Sequence, residues 1–217
     1  MKPSADNSFF AATRDEWRAW LEANHASSSG VWLVFNKKTS GLPHLLYAHG
    51  VEEALCFGWV DSKPAKVDDV RSSLYYTPRK PRSGWARTNK VRVARLTELG
   101  LMRETGLQVI EAAKADGSWE LLDGVENVEI PSDLAEALEL IGASANFAAF
   151  PKSAKQGILQ WIVQAKRPGT RAARIAQTAR LAAVNERANQ WQPKPVAASG
   201  RTPSQTRNPA QPATRAA

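Results

Sequence analysis

One cysteine in 217 residues, Cys56, excludes an internal disulfide and suits a reducing compartment. Long apolar runs are missing too. The longest is five residues, Val31 to Phe35, against the roughly 20 that a transmembrane helix needs. The first seven residues, Met1 to Asn7, hold one lysine and no apolar stretch of the kind a signal peptide carries. A cytoplasmic location is therefore expected. Only three histidines occur, His25, His44 and His49, and none stands at zinc-ligand spacing from another or from Cys56. His49 lies two helical turns from Cys56, about 10 Å along an axis, too far for a Cys–His nucleophile. Glycine-rich nucleotide loops and serine elbows are likewise absent. The residues therefore imply no catalytic group, no metal and no cofactor.

What is present reads as an ordinary soluble domain. Apolar residues make up 43% and charged residues 23%, which is enough for one medium core or two small ones. Net charge is +8 and uneven. From Phe150 onward the chain carries +11, leaving −3 for the first 149 residues. Such asymmetry points to an anionic ligand, an acidic partner or nucleic acid, or to a basic helix and tail kept in solution by their charge.

Thr13-Arg14-Asp15-Glu16 is a capping box opening a helix whose inner face is Trp17, Trp20 and Leu21. Val31 to Phe35 reads as a buried strand, and Ala48 to Phe57 as a helix stopped by Gly58. Residues 59–63 and 72–77 form a hairpin that Pro64 confines to an edge or a bend. The expected class is α+β, with a small sheet and helices over residues 9–120. Ser83 is expected to cap a helix running to Leu99, with Trp85, Asn89, Arg92, Val93, Leu96 and Leu99 on one stripe. Leu107, Ile110 and Ala113 line the next. Over residues 121–190 the pattern is helical: Leu134, Ala137, Leu138 and Ile141 face inward, a capping box at Ser153/Gln156 opens another helix, and Thr170 caps the last. Residues 191–217 hold five prolines and four cations from Pro193 on, without acids; such a tail is expected to be disordered.

Two cation clusters stand out. Residues 63–95 hold ten Lys or Arg and two acids, interleaved with Trp59, Tyr75, Tyr76 and Trp85. Such a mixture can stack bases and hold phosphates, and it equally describes a sheet with aromatics inward and charges outward. The second cluster, Lys166, Arg167, Thr170, Arg171 and Arg174, surrounds a helix start, where free amides favour an anion. Arginines in a first turn oppose the helix dipole, which makes this turn the leading anion-site candidate; the alternative is a solvated face in which Arg171 or Arg174 pairs with acids such as Asp133 or Glu136 on the neighbouring helix.

Several segments resemble a known family. They are Tyr47 with residues 53–62 (EALCFGWVDS), residues 76–85 (YTPRKPRSGW) with Asn89, Gly100-Leu101-Met102, Gly106 and residues 113–119 (AKADGSW). Downstream, Phe150-Pro151-Lys152-Ser153, Trp161-Ile162, Ala165-Lys166-Arg167, Thr170-Arg171, Arg174-Ile175 and Thr178 continue the likeness. Over about residues 9–190 the chain resembles the YdeI/OmpD-associated, or bacteriocin-protection, family. The resemblance implies a link to resistance against bacteriocins or antimicrobial peptides, or association with an outer-membrane porin, and it implies no defined reaction. It also singles out Trp59, Asp61, Arg79, Trp85 and Asn89 as a second candidate surface, with Asp61 and Arg79 able to pair across the hairpin. The expected function is a non-enzymatic binding protein. The alternatives are a nucleic-acid-binding protein and a small enzyme with its site around Asp61. On this reading residues 193–217 are dispensable for folding: their deletion should leave the thermal unfolding midpoint within about 1 °C, and a large drop would show that they are needed.

Overall fold

The computed structural model describes residues 2–190; the tail expected to be disordered lies outside the described residues. The class is α+β. Four strands, β1 (Ser8–Phe10), β2 (Val31–Asn36), β3 (Trp59–Lys66) and β4 (Arg71–Pro78), form a mixed sheet in the order β1-β2-β4-β3. Around and after it come α1 (Arg14–Asn24), α2 (Tyr47–Cys56), α3 (Arg87–Glu98), α4 (Glu104–Ala115), α5 (Asp123–Asn127), α6 (Ser132–Leu140), α7 (Ser144–Ala149), α8 (Lys152–Val163) and α9 (Pro168–Ala183). No helix among the described residues is long and apolar enough to cross a membrane.

The capping box forms as expected. Thr13 Oγ1 accepts from the Glu16 amide at 3.2 Å, and Glu16 Oε2 accepts from the Thr13 amide at 3.1 Å. Trp17 and Leu21 are buried, and Trp17 Nε1 donates to the Gly50 carbonyl at 3.0 Å. Gly58 ends α2 in the left-handed region at φ 74°. Pro64 sits where the β3–β4 register shifts, on the sheet's edge strand. β1 has no counterpart in the sequence reading. It is three residues long and pairs with β2 in parallel, so nothing local announces it.

Several sequence expectations are corrected. Ser83 does not cap α3, which starts at Arg87 with Ala86 as N-cap; Trp85 therefore precedes the helix, and Leu99 is exposed. In α4 the buried stripe is Gly106, Ile110 and Ala113, while Leu107 is exposed. Only glycine fits position 106, because a Cβ there would lie 2.3 Å from the Cys56 carbonyl oxygen. Ile141 lies outside its helix and is exposed. Ser153 and Thr170 are not caps. α8 follows Pro151, and α9 begins at Pro168, since proline is already set for a first turn and has no amide to satisfy.

Burial divides into two hydrophobic clusters. The first runs from Ala11 to Ala113 around the aromatic group Trp17, Trp59, Tyr76 and Trp85. The second runs from Leu122 to Ala188 among the later helices. Polar pairs join them: the Arg87 amide donates to Glu126 Oε1 at 2.9 Å, Arg87 Nη2 to Asn127 Oδ1 at 2.7 Å, and Lys90 pairs with Asp123.

Within the first cluster two adjacent acids of α2 are buried, Glu52 at 6% exposure and Glu53 at 1%. Arg14 bridges both, Arg18 pairs with Glu53 at 2.6 Å and also donates to the Leu101 carbonyl, and Arg95 pairs with Glu52. The network ties α1, α2 and α3 together. Removing one charge from a buried pair strands its partners. Glu53→Gln should cost about 3 kcal/mol in denaturant unfolding, and a loss below 1 kcal/mol would show that the network does not hold the helices.

Candidate anion-binding cleft

The cleft begins with a short, well-fixed loop after β4. The Arg79 amide donates to the Gly58 carbonyl at 2.9 Å. The Ser83 hydroxyl and amide both donate to the Lys80 carbonyl, at 2.7 and 3.3 Å. Arg82 takes a left-handed conformation at φ 59°, which costs a non-glycine residue about 1–3 kcal/mol and marks sites of function when the surroundings enforce it. At the loop's end Gly84 lies so close to Leu122 that a Cβ would meet its side chain at 2.8 Å.

Across from this loop stands the C-terminal end of α8. Lys80, Pro81, Arg82, Ser83 and Gly84 form one wall. Gln160, Val163, Gln164, Ala165 and Lys166 form the other, and Leu121 and Leu122 lie between them. The cleft is open to solvent on one side and has a volume of about 630 Å³, in the range of small-ligand sites. Three cations line it and no carboxylate does. Asp116, on the far side of the loop, is held below the usual aspartate range chiefly by hydrogen bonding to Ser118, helped by the Arg82 amide. Its Oδ1 accepts from the Ser118 amide at 2.9 Å, and its charge also acts on Arg82.

Arg79 sits behind the loop. Its guanidinium lies 3.7 Å over the Trp85 ring, and Nη2 donates to the Gly84 carbonyl at 2.5 Å. Nε and Nη1 are out of solvent with no hydrogen-bond partner among the described residues. Burial pushes its pKa down to about 10, with the Asp61 charge working against that shift. The stack continues through Trp85 to Trp119, ring centroids 4.9 Å apart.

The sequence-predicted residues are dispersed. Lys166 alone of the leading candidates lines the cleft. Arg167 and Thr170 are exposed in and before the first turn of α9. Arg171 pairs with Asp133 through two bonds of 2.7 and 2.9 Å, and Arg174 lies over the Trp161 ring and donates to the Trp161 carbonyl. The expected convergence of four cations on one turn does not occur, because two are taken up by neighbours. Trp59 is core, with Nε1 donating to the His25 carbonyl at 3.3 Å. Asp61 does not pair with Arg79; it accepts from the Tyr47 hydroxyl at 3.0 Å. The Asn89 side chain accepts from Arg92 at 2.9 Å. Lys80 and Arg82 lie within the first cation cluster, whose composition does not distinguish them from its other members. Their only local signal is the proline-flanked turn that carries them.

The Arg171–Asp133 pair carries a pH signature. Asp133 titrates below its ordinary value of 3.8, first because of its hydrogen bonds from Arg171. A carboxyl depressed in the folded state contributes stability above its unfolded pKa and loses it as pH falls through the folded one. Both side chains are about a third or more exposed, so the pair is worth under about 1 kcal/mol. Asp133→Asn should therefore be slightly less stable than the parent at pH 7, and the gap should close below pH 3. A gap that persists undiminished at pH 2 would show that the pair's charge is not its source.

Comparison with known families divides the chain at the same place as its hydrophobic clusters. Residues 9–109 match a model described as a domain of unknown function (DUF8412). Residues 127–185 match the model described as Bacteriocin-protection, YdeI or OmpD-Associated. No curated protein and no solved structure matches the chain. The likeness read over residues 9–190 is thus narrowed, and its N-terminal motifs up to Asn89 and Gly106 fall in the first match instead. Over residues 127–185, the helices that supply one wall of the cleft, the chain is similar to the family described as Bacteriocin-protection, YdeI or OmpD-Associated.

Proposed function

We propose that the protein is a cytoplasmic binding protein that takes an anionic ligand in the cleft between residues 80–84 and 160–166. One observation carries the reading: three cations from both matched segments line a cleft of about 630 Å³ that no carboxylate lines. Gln160, Gln164 and Ser83 add neutral hydrogen-bonding groups, and Leu121, Leu122 and Val163 add apolar surface. That mixture suits a small molecule with an anionic end and an apolar body. A net charge of +8 repels cationic peptides, so any part in peptide resistance would run through the anionic ligand rather than through capture of the peptide.

Tripolyphosphate is a suitable first probe, followed by calorimetry. Each charge-assisted hydrogen bond is worth about 1.5–3 kcal/mol, so the triple variant Lys80→Gln, Arg82→Gln, Lys166→Gln should bind at least tenfold more weakly. The double variant Arg171→Gln, Arg174→Gln should bind like the parent. Equal affinity of the triple variant and the parent would sink the assignment. Tighter binding to a single-stranded oligonucleotide than to tripolyphosphate, with a steep loss as salt rises, would favour nucleic acid instead.

A further inference from the structure

A cation removed from water without a counterion is a liability to the fold. Arg79 comes close to this: it is half-buried, among the described residues it makes no ion pair, and two of its nitrogens are buried without a partner. An apolar side chain of similar length would lie on Trp85 at lower cost. Stability therefore does not account for the arginine, and its surroundings show what it serves. Through Nη2 it holds the Gly84 carbonyl, and through its amide the Gly58 carbonyl, so it closes the neck of the loop that presents Lys80 and Arg82. Gly84 is itself part of the cleft wall.

We infer that Arg79 is a positioning residue of the anion cleft: it fixes loop 79–84 and sets a fourth positive charge behind the wall, selecting multiply charged, phosphate-type anions. The inference rests on the proposed cleft and adds to it a ligand class and a residue that never touches the ligand. Two of the Arg79 nitrogens are out of solvent, so its field reaches the cleft less screened than that of a fully exposed lysine. The gain grows with the charge on the ligand, which is why a triphosphate should profit more than a single phosphate.

The test compares the full-length parent, Arg79→Met and Arg79→Lys, using tripolyphosphate and inorganic phosphate as probes, with thermal unfolding alongside. Arg79→Met should weaken tripolyphosphate binding about tenfold and phosphate binding about threefold, as expected of one charge acting at a distance. Its unfolding midpoint should be at or above the parent's, because the stranded charge is gone. Arg79→Lys should recover most of the affinity. Undiminished binding by Arg79→Met, while the cleft triple variant loses it, would overturn the role of Arg79 and leave the cleft standing. A parent that binds no tripolyphosphate would overturn both. Failure of Arg79→Met to fold, or a lowered midpoint with no recovery in Arg79→Lys, would make Arg79 a structural cation and end the inference.

Discussion

Two adjacent carboxylates set the frame of the N-terminal part. Residues 50–56 of α2 are buried without interruption, Glu52 and Glu53 included, so no side of this helix is left for water to hold the charges. Arg14 and Arg18 from α1 and Arg95 from α3 supply the counter-charge. Arg18 lies 5.5 Å from the Phe57 ring centroid as well as reaching Glu53 and the Leu101 carbonyl. Apolar contacts tolerate sliding, whereas a buried fork-to-carboxylate bond fixes one register. The position of α3, and with it everything that hangs from its first turn, follows from where these charges meet.

From that first turn the structure crosses to its second half. Arg87 and Lys90 reach Glu126, Asn127 and Asp123 on α5, and Gln156 of α8 donates to the Glu126 carbonyl at 3.1 Å. These bonds tie α5 to both sides and bring loop 79–84 opposite the end of α8. The loop's conformation is expensive, with a left-handed Arg82 and a half-satisfied Arg79. Rigid neighbours on both sides sustain it: Gly58 at one end and Leu122 at the other.

Legibility in the sequence followed the range of the interactions. The Thr13–Glu16 box, the Gly58 stop and the Pro64 irregularity are local, and each is readable from a few residues. Ser153 and Thr170 had the right chemistry for caps, but prolines just upstream start those helices earlier. β1 depends on a parallel partner more than twenty residues away. The burial of Glu52 and Glu53 has no local sign, because nothing in a window around them reveals three arginines arriving from other helices. The same holds for the cleft. Lys166 was visible in one basic cluster and Lys80 and Arg82 in another, yet only the fold sets them face to face, while Asp133 and Trp161 withdraw Arg171 and Arg174.

The division of hydrophobic burial has a consequence for how such chains can diversify. The buried apolar residues fall into two clusters, with Leu122 of the second packed against Gly84 of the first part, and the boundary between them falls in the gap between the two family matches. Recombination between Trp119 and Leu122 would keep each cluster on one side of the cut and would have to preserve the hydrogen-bonding side chains on α3 and α5 together with the close fit of Gly84 to Leu122. The cavity walls, by contrast, would change with every new pairing. The shape of the cleft in this architecture is a property of the junction, open to change by shuffling.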